Sequence, residues 1–521
     1  MSYKKTVAAC ASGLVLLLTV CPACAVANTN RADAVGERLT VAVSTLPSHF
    51  DPHESTYHTE AQIQTALYEG LFTTAPDTLE PQPALAAGYR VSRDKLRWTF
   101  TIRPNARWSD GSPITAEDIR NAWLDLLTHT GAPYSSLLDI VAGAQDYRTG
   151  RLPRESVALS APDPTTLTVR LVEPAGHLPQ LLCHGALAAV KPDRTLSSGP
   201  FVVTAHTREA LTLKKNEHYW DTDAVGFTEI LIQRIDDDDE AAFQFNTGNV
   251  EWLMEHSAPA AILNADAVHI TAEFATLFLF FRANGGIWDN SAMRAALLEA
   301  APWEKLRAGF LLPATTLLYP LPGYPAVAGY DYTDPAEAAR RMEAARAEAG
   351  KTSREPLTLT FAIQAGAAYL EPILYALREA WEPLGVQVLP QVVYGDYFSA
   401  IDTIQADLFV YNWIGDFADP LAFLELFRGG SSLNQSGWHN DAYDALLSEA
   451  SRLSTNERYT ALARAEQILL DSAEIMPLSH LISVHVINTN IVGGWSANAI
   501  NIHPFKYLFR KPDNQRMPGI I

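Results

Sequence analysis

The sequence predicts a mixed α/β protein of at least two lobes, and three observations lead there. The chain has 521 residues, more than one compact hydrophobic core usually serves. Hydrophobic residues make up 48% and charged residues 19%, the balance of an ordinary globular protein. Short runs of β-formers alternate with helix-period stripes along the chain, and no repeat or low-complexity linker interrupts them. That is the pattern of layered α/β domains joined by short connections.

Residues 1–27 come before the first strand. They carry Lys4 and Lys5, an apolar stretch from Val7 to Val20, then small residues. This is the layout of a secretory signal, too short for a spanning helix. Ala25-Val26-Ala27 offers a cut before Asn28, while Cys21 and Cys24 lie where a lipoprotein signal places its acylated cysteine. Soluble export and lipid anchoring both stand. Cleavage after Ala27 leaves Cys183 as the remaining cysteine, so no internal disulfide is expected in that form.

The elements follow in order. "LTVAV" (39–43) and "WTFTI" (98–102) have strand alternation. "TAEDIRNAWLDLLT" opens with Thr115 and Asp118 at capping-box spacing and carries Ile119, Ala122, Trp123 and Leu126 on one helical stripe. Strands fit 167–171, 201–204, 211–213 and 230–235. Asp334-Pro335 starts a helix that Gly350 stops. "LTLTFAI" is a strand, and "EPILYALREAWEPLG" a helix with Ile373, Leu377, Trp381 and Leu384 on one face. A strand fits 408–411, Asp419-Pro420 caps and opens the next helix, and Ser454 with Glu457 predicts a further capping box.

The formal net charge of −20 argues against nucleic acid as a partner, because phosphate binding needs a basic face. No nucleophile elbow, phosphate loop, dinucleotide fingerprint or zinc signature appears, so neither an enzyme nor a cofactor is expected. His49, His53 and His58 read as a polar loop, and "DDDDE" (236–240) as the solvated start of a helix. Asp416, in "YNWIGDFADP", is different. It follows a strand at the edge where α/β folds place ligand crevices, and no Lys or Arg occurs from Glu379 to Phe427. The alternative is a loop Asp that bonds its own backbone.

Five segments, in unbroken order, resemble one family. "FDPHESTYHTEAQIQTALYEGLF" is similar to its D-P-H and L-Y-E-G-L opening, and "LRWTFTIRPNARWSDGSPITAEDIRNAW" to its W-T-F-x-L-R and W-S-D-G-x-P-V-T-A-x-D signature. "GPFVVTAHTREALTLKKNEHYWD", "WIGDFADPLAFL" and "ERYTALARAEQILLDSAEIMPL" resemble three further blocks. The family is the family 5 extracellular solute-binding proteins, the oligopeptide- and dipeptide-binding components of ABC importers.

The resemblance implies the two-lobed α/β fold of periplasmic binding proteins (type II, cluster C-like) with an additional inserted third domain, and hinge closure over the ligand. It implies lobe I from residues 28–73, 197–283 and 487–521, the inserted domain from 74–196 and lobe II from 284–486. It implies a monomer that passes a peptide ligand to an ABC permease complex. In such relatives the acid at the position of Asp416 receives the ligand's α-ammonium, Trp413 walls the site, and the backbone of Asn412 and Ile414 pairs with the peptide as an added strand. Tyr134 matches a ligand-contacting tyrosine, and Thr56, His58 and Tyr397 lie where relatives also touch ligand. Two departures stand out. Val410 occupies the position where relatives often place an Arg for the peptide's carboxylate, and Ser479-His480-Leu481 replaces a Tyr-rich run. Two alternatives follow: the same fold carrying a nickel complex or haem near His58 and His480, or a chaperone-like protein with a degenerate site.

Overall fold

The computed structural model describes residues 38–516 except 56, 256–257, 353–354, 396, 416 and 418. The leader, Thr56 and Asp416 therefore lie outside the described residues.

Strand β1 (Arg38–Val43) and the helix His58–Leu67 come first. A two-stranded ribbon, β2 (Phe72–Thr74) with β3 (Pro81–Pro83), follows. Next is an independent antiparallel sheet of β4 (Ala86–Val91), β5 (Arg97–Ile102), β6 (Leu159–Asp163) and β7 (Thr166–Arg170), in the order 4-5-7-6. The helix Ala116–Leu126 packs on this sheet, and Thr115 and Asp118 close the expected capping box.

The rest of the chain builds one eleven-stranded sheet. Its members, besides β1, are β8 (Phe201–His206), β9 (Ala210–Lys215), β10 (Glu229–Arg234), β11 (Trp252–Leu253), β12 (Val268–Phe281), β13 (Leu312–Pro313), β14 (Leu357–Gln364), β15 (Val386–Val393), β16 (Leu408–Ile414) and β17 (Ile475–Ile487). A short ribbon, β18 (Val492–Gly493) with β19 (Phe509–Arg510), closes the chain. The sheet order is 15-14-16-12-17-11-1-10-9-8, with β13 added to β17.

The two halves of this sheet are the two lobes, joined by the long antiparallel strands β12 and β17. The outer half of β12 pairs with β16 from Ala275 onward, while the far end of β17 pairs with β11 at Val486 and Ile487. Between Ala272/Ile482 and Thr276/His480 the register breaks, with three residues of β12 facing one of β17. Such a bulge bends a strand and re-aims its side chains. Phe274 at the bulge donates its N–H to Ala499 O and accepts from Gly415 N, tying the crossing to both lobes. Glu273 beside it is buried, 4% exposed, and accepts a 2.6 Å hydrogen bond from Asn501 Nδ2.

Most local expectations match these elements, with three differences. The strand expected at 408–411 runs on to Ile414. His58, expected in a loop, opens a helix. Ser454 donates its hydroxyl to the Glu457 carboxylate at 2.8 Å and accepts no backbone N–H, so the two side chains bond each other and the expected box is not made. The helix Asp238–Asn246 starts on Asp237, as the acidic run predicts.

Three buried cations pair with structural carboxylates. Arg458, in the helix Thr455–Asp471, clamps Asp419 with bonds of 2.5 and 2.7 Å. Lys506 lies 3.1 Å from Glu69, and Arg294 lies 3.1 Å from Glu474. Removing one partner of a buried pair leaves an uncompensated charge. Arg458→Met is therefore expected to lower the unfolding free energy by about 3–5 kcal/mol, measured by denaturant titration. Burial pushes the Glu273 carboxyl up to about 7, against the Asn501 bond that favours its ionised form. A raised carboxyl pKa favours the folded state below the unfolded pKa, and that contribution is lost as pH rises toward 7. Glu273→Gln, which fixes the neutral form, should raise stability at pH 8 by up to about 3 kcal/mol and do little at pH 4. Thermal melts at the two pH values check this.

Candidate ligand-binding cleft

A cavity of about 860 Å³ lies between the sheet halves and under the small-sheet domain. One wall comes from residues 44–49 at the end of β1, from the start of the helix His58–Leu67, and from Glu255 after β11. The opposite wall is residues 411–415 with Phe398. The small-sheet domain contributes Pro133, Tyr134 and residues 183–186. Ser432 Oγ donates to Pro133 O at 2.6 Å and Arg148 Nη2 donates to Gly430 O at 2.9 Å, so that domain is tied to the β16 side.

Strand β16 has an open edge toward the cavity. It pairs with β12 along its length, and the last described pair, Gly415 N to Phe274 O, is 2.8 Å. Backbone groups of successive residues alternate between the two edges of a strand in an antiparallel pair. Odd-numbered residues thus face β12, and Asn412 and Ile414 turn their N–H and C=O the other way. On that other edge, among the described residues, β14 reaches only Leu408 and Phe409. Val410 N donates to the Tyr397 hydroxyl at 3.3 Å. Beyond it the neighbouring strand is missing and the cavity begins.

Local packing holds this edge in place. Trp413 donates its indole N–H to Ala422 O at 2.7 Å and stacks on Tyr411 with ring centroids 5.9 Å apart. Gly415 has no side chain because there is no space for one. A Cβ there would stand 2.5 Å from the Phe274 ring and 3.2 Å from the Phe423 ring.

The expected site residues distribute unevenly. Trp413, Asn412, Ile414, Tyr134 and His58 all line the cavity. Tyr134 packs 4.2 Å from the His184 ring and 6.3 Å from Trp413. His58 Nε2 meets the Asn501 carbonyl. Burial lowers its pKa against the pull of that carbonyl and of Glu255, so the ring is neutral at pH 7. Tyr397 is placed differently from these five. It is 1% exposed and not on the wall, because its hydroxyl is spent on Val410 N; its neighbour Phe398 takes the wall position. His480 is also off the wall. It is buried beside Tyr319 with Nδ1 3.0 Å from Thr276 Oγ1, and burial and Arg307 push its pKa down to about 4.

The charge on the walls is one-sided. Glu54, Glu60, Glu69 and Glu255 line the cavity, and Lys506 is the one lysine or arginine among the described lining residues. Lys506 is committed to Glu69; burial works to lower its ammonium pKa, but Glu69, Tyr507 and Asp221 together raise it. Of the two acids in "YNWIGDFADP", Asp419 is neutralised by Arg458. At the rim, Asp51, Glu54 and His129 bring ligand atoms within 4.8 Å of one another, but Arg194 Nε already holds Asp51 at 2.9 Å. Periodicity could not reveal Glu255, Phe398 or His184, since each reaches the wall through tertiary folding. No helix among the described residues is long and apolar enough to cross a membrane.

Comparison with known proteins agrees with this architecture. Residues 80–435 match the family model "Bacterial extracellular solute-binding proteins, family 5 Middle". The dipeptide-binding protein DppE of Bacillus subtilis is 26% identical, over 92% of each chain. Among solved structures, the murein tripeptide-binding protein MppA of Escherichia coli superposes with a TM-score of 0.79 at 23% identity, covering 91% of this chain and 98% of that one. OppA of Haemophilus influenzae, in complex with the peptide RPPGFSPFR, gives 0.77 at 22% identity, covering 91% and 98%. The chain belongs to the bacterial extracellular solute-binding proteins of family 5.

Proposed function

We propose that the chain captures oligopeptides in this cleft outside the cytoplasm and hands them, as a monomer, to the permease complex of an ABC importer. The open edge of β16 carries the reading. An extended peptide adds there as a further strand, bonding the backbone of Asn412 and Ile414, a mode indifferent to side-chain identity. The names of relatives, one binding dipeptides and one solved with a bound peptide, support it.

Asp416 follows this edge directly and receives the α-ammonium of the ligand. Its neighbour Asp419 already has Arg458, so the two acids divide between structure and ligand. Desolvating a carboxylate is costly, and an ammonium with charge-assisted hydrogen bonds offsets that cost. Trp413 and Tyr134 form the aromatic wall, Thr56 and His58 meet the ligand from the opposite side, and Tyr397 holds the strand from behind. The ligand moves unchanged, and no cofactor is needed.

The lobes in this reading are residues 28–73, 197–283 and 487–521 on one side and 284–486 on the other, with 74–196 inserted. Bending occurs where β12 and β17 cross. Residues 1–27 direct export, with Cys21 or Cys24 as the lipid-bearing residue if the chain is anchored. The buried position of His480 speaks against a metal or porphyrin cargo held there, and a cavity of about 860 Å³ against a degenerate site.

Asp416→Ala should weaken binding of an alanine tripeptide by about 2–5 kcal/mol, and N-acetylation of the peptide should weaken it comparably. Isothermal titration calorimetry measures both. Unchanged affinity in either case contradicts the assignment of Asp416.

A further inference from the structure

Building on the peptide reading, we propose that Glu255 is a second anchor in the cleft, for a ligand ammonium or guanidinium, and that the cleft selects basic peptides. The wall carboxylates differ in what already engages them. Glu69 has Lys506. Glu60 accepts from Tyr57 N at the start of its own helix, a capping role. Glu54 has His129 at 2.8 Å and His49 at 3.7 Å.

Glu255 has hydroxyls instead. Ser44 Oγ, just beyond β1, donates to Oε2 at 3.1 Å, and Thr59 Oγ1, in the first helical turn, donates to Oε1 at 2.5 Å. No lysine or arginine among the described residues pairs with it, and the nearby His58 is kept neutral by burial. A helix-dipole role explains Glu60, which sits on the helix. The same dipole favours Glu255, which reaches this point from the end of β11, but Glu255 is bonded by hydroxyls and caps no backbone N–H of the helix.

Two hydroxyl donors fix the direction of a carboxylate and leave its charge in place. A cationic group arriving there forms a charge-assisted bond to a preoriented acceptor, and a cleft lined by one sign of charge focuses the field on it. An acidic side chain meets the same field as repulsion. The described walls also offer no uncommitted lysine or arginine for a ligand carboxylate, since Lys506 is held by Glu69. The peptide's C-terminus therefore points to solvent.

The test uses the mature chain, freed of endogenous ligand by unfolding and refolding, and calorimetry with alanine tetrapeptides. Each peptide carries one lysine, glutamine or glutamate at position 2, 3 or 4. At one position the lysine peptide should bind roughly tenfold or more tighter than its glutamine counterpart, and the glutamate peptide weaker still. The preference should shrink at about 0.5 M salt. In Glu255→Gln the lysine-to-glutamine ratio should fall to about one. Ser44→Ala, which loosens the carboxylate but keeps its charge, should lower the ratio only in part, and thermal melts confirm that both variants fold. Equal affinities for the lysine and glutamine peptides, or a ratio that survives Glu255→Gln, overturn the role of Glu255 and leave the peptide reading standing. Failure of every peptide to bind overturns both.

Discussion

A β-strand paired on one side only has backbone donors and acceptors that must find partners elsewhere. In this fold β16 is such a strand. β12 satisfies one edge, β14 stops at Phe409, and the edge carrying Asn412 and Ile414 opens into the cavity. Water can fill that edge, and so can another extended chain. The surrounding structure keeps it flat and fixed: Tyr397 holds Val410, Ala422 holds Trp413, and Gly415 lets Phe274 close over the end.

The same strand is joined to the β12–β17 crossing. Phe274, at the bulge in β12, bonds Gly415 on one side and Ala499 on the other. The β12–β17 crossing, the end of the ligand-facing strand and the returning C-terminal segment thus meet at one residue. Under the proposed hinge closure, a change in the angle between the lobes would act on the edge of β16 through this short backbone path.

The division of charge follows from the same economy of burial. With 39 basic against 59 acidic residues, cations are scarce, and several of those in the core are fixed to structural acids: Arg458 to Asp419, Lys506 to Glu69 and Arg294 to Glu474. The charged groups that remain on the described cavity wall are acidic, and in the proposed function the ligand supplies the compensating charge.

The sequence discloses what is local and little of what is not. Capping boxes and side-chain periods announce the helix Ala116–Leu126, the helix Pro335–Glu348 and most strands to within a few residues. Strands β12 and β17, which define the crossing, carry no such sign, because long apolar runs read alike in helix and strand and their partners are distant. Motif resemblance places Trp413, Asn412, Ile414, Tyr134 and His58 on the wall. Tyr397 and His480 lie off the wall because a polar side chain in a matching segment can equally make a buried hydrogen bond. Glu255 escapes notice since its neighbours in space, Ser44 and Thr59, lie about two hundred residues away in sequence. One measurement bears most directly on the open edge of β16 as a peptide-binding strand. Native mass spectrometry of the protein, purified from its cells without stripping, should show a heterogeneous set of adducts whose masses resolve into short peptides. A chain that emerges with an empty cleft, or with metal or porphyrin in place of peptide, would contradict the account.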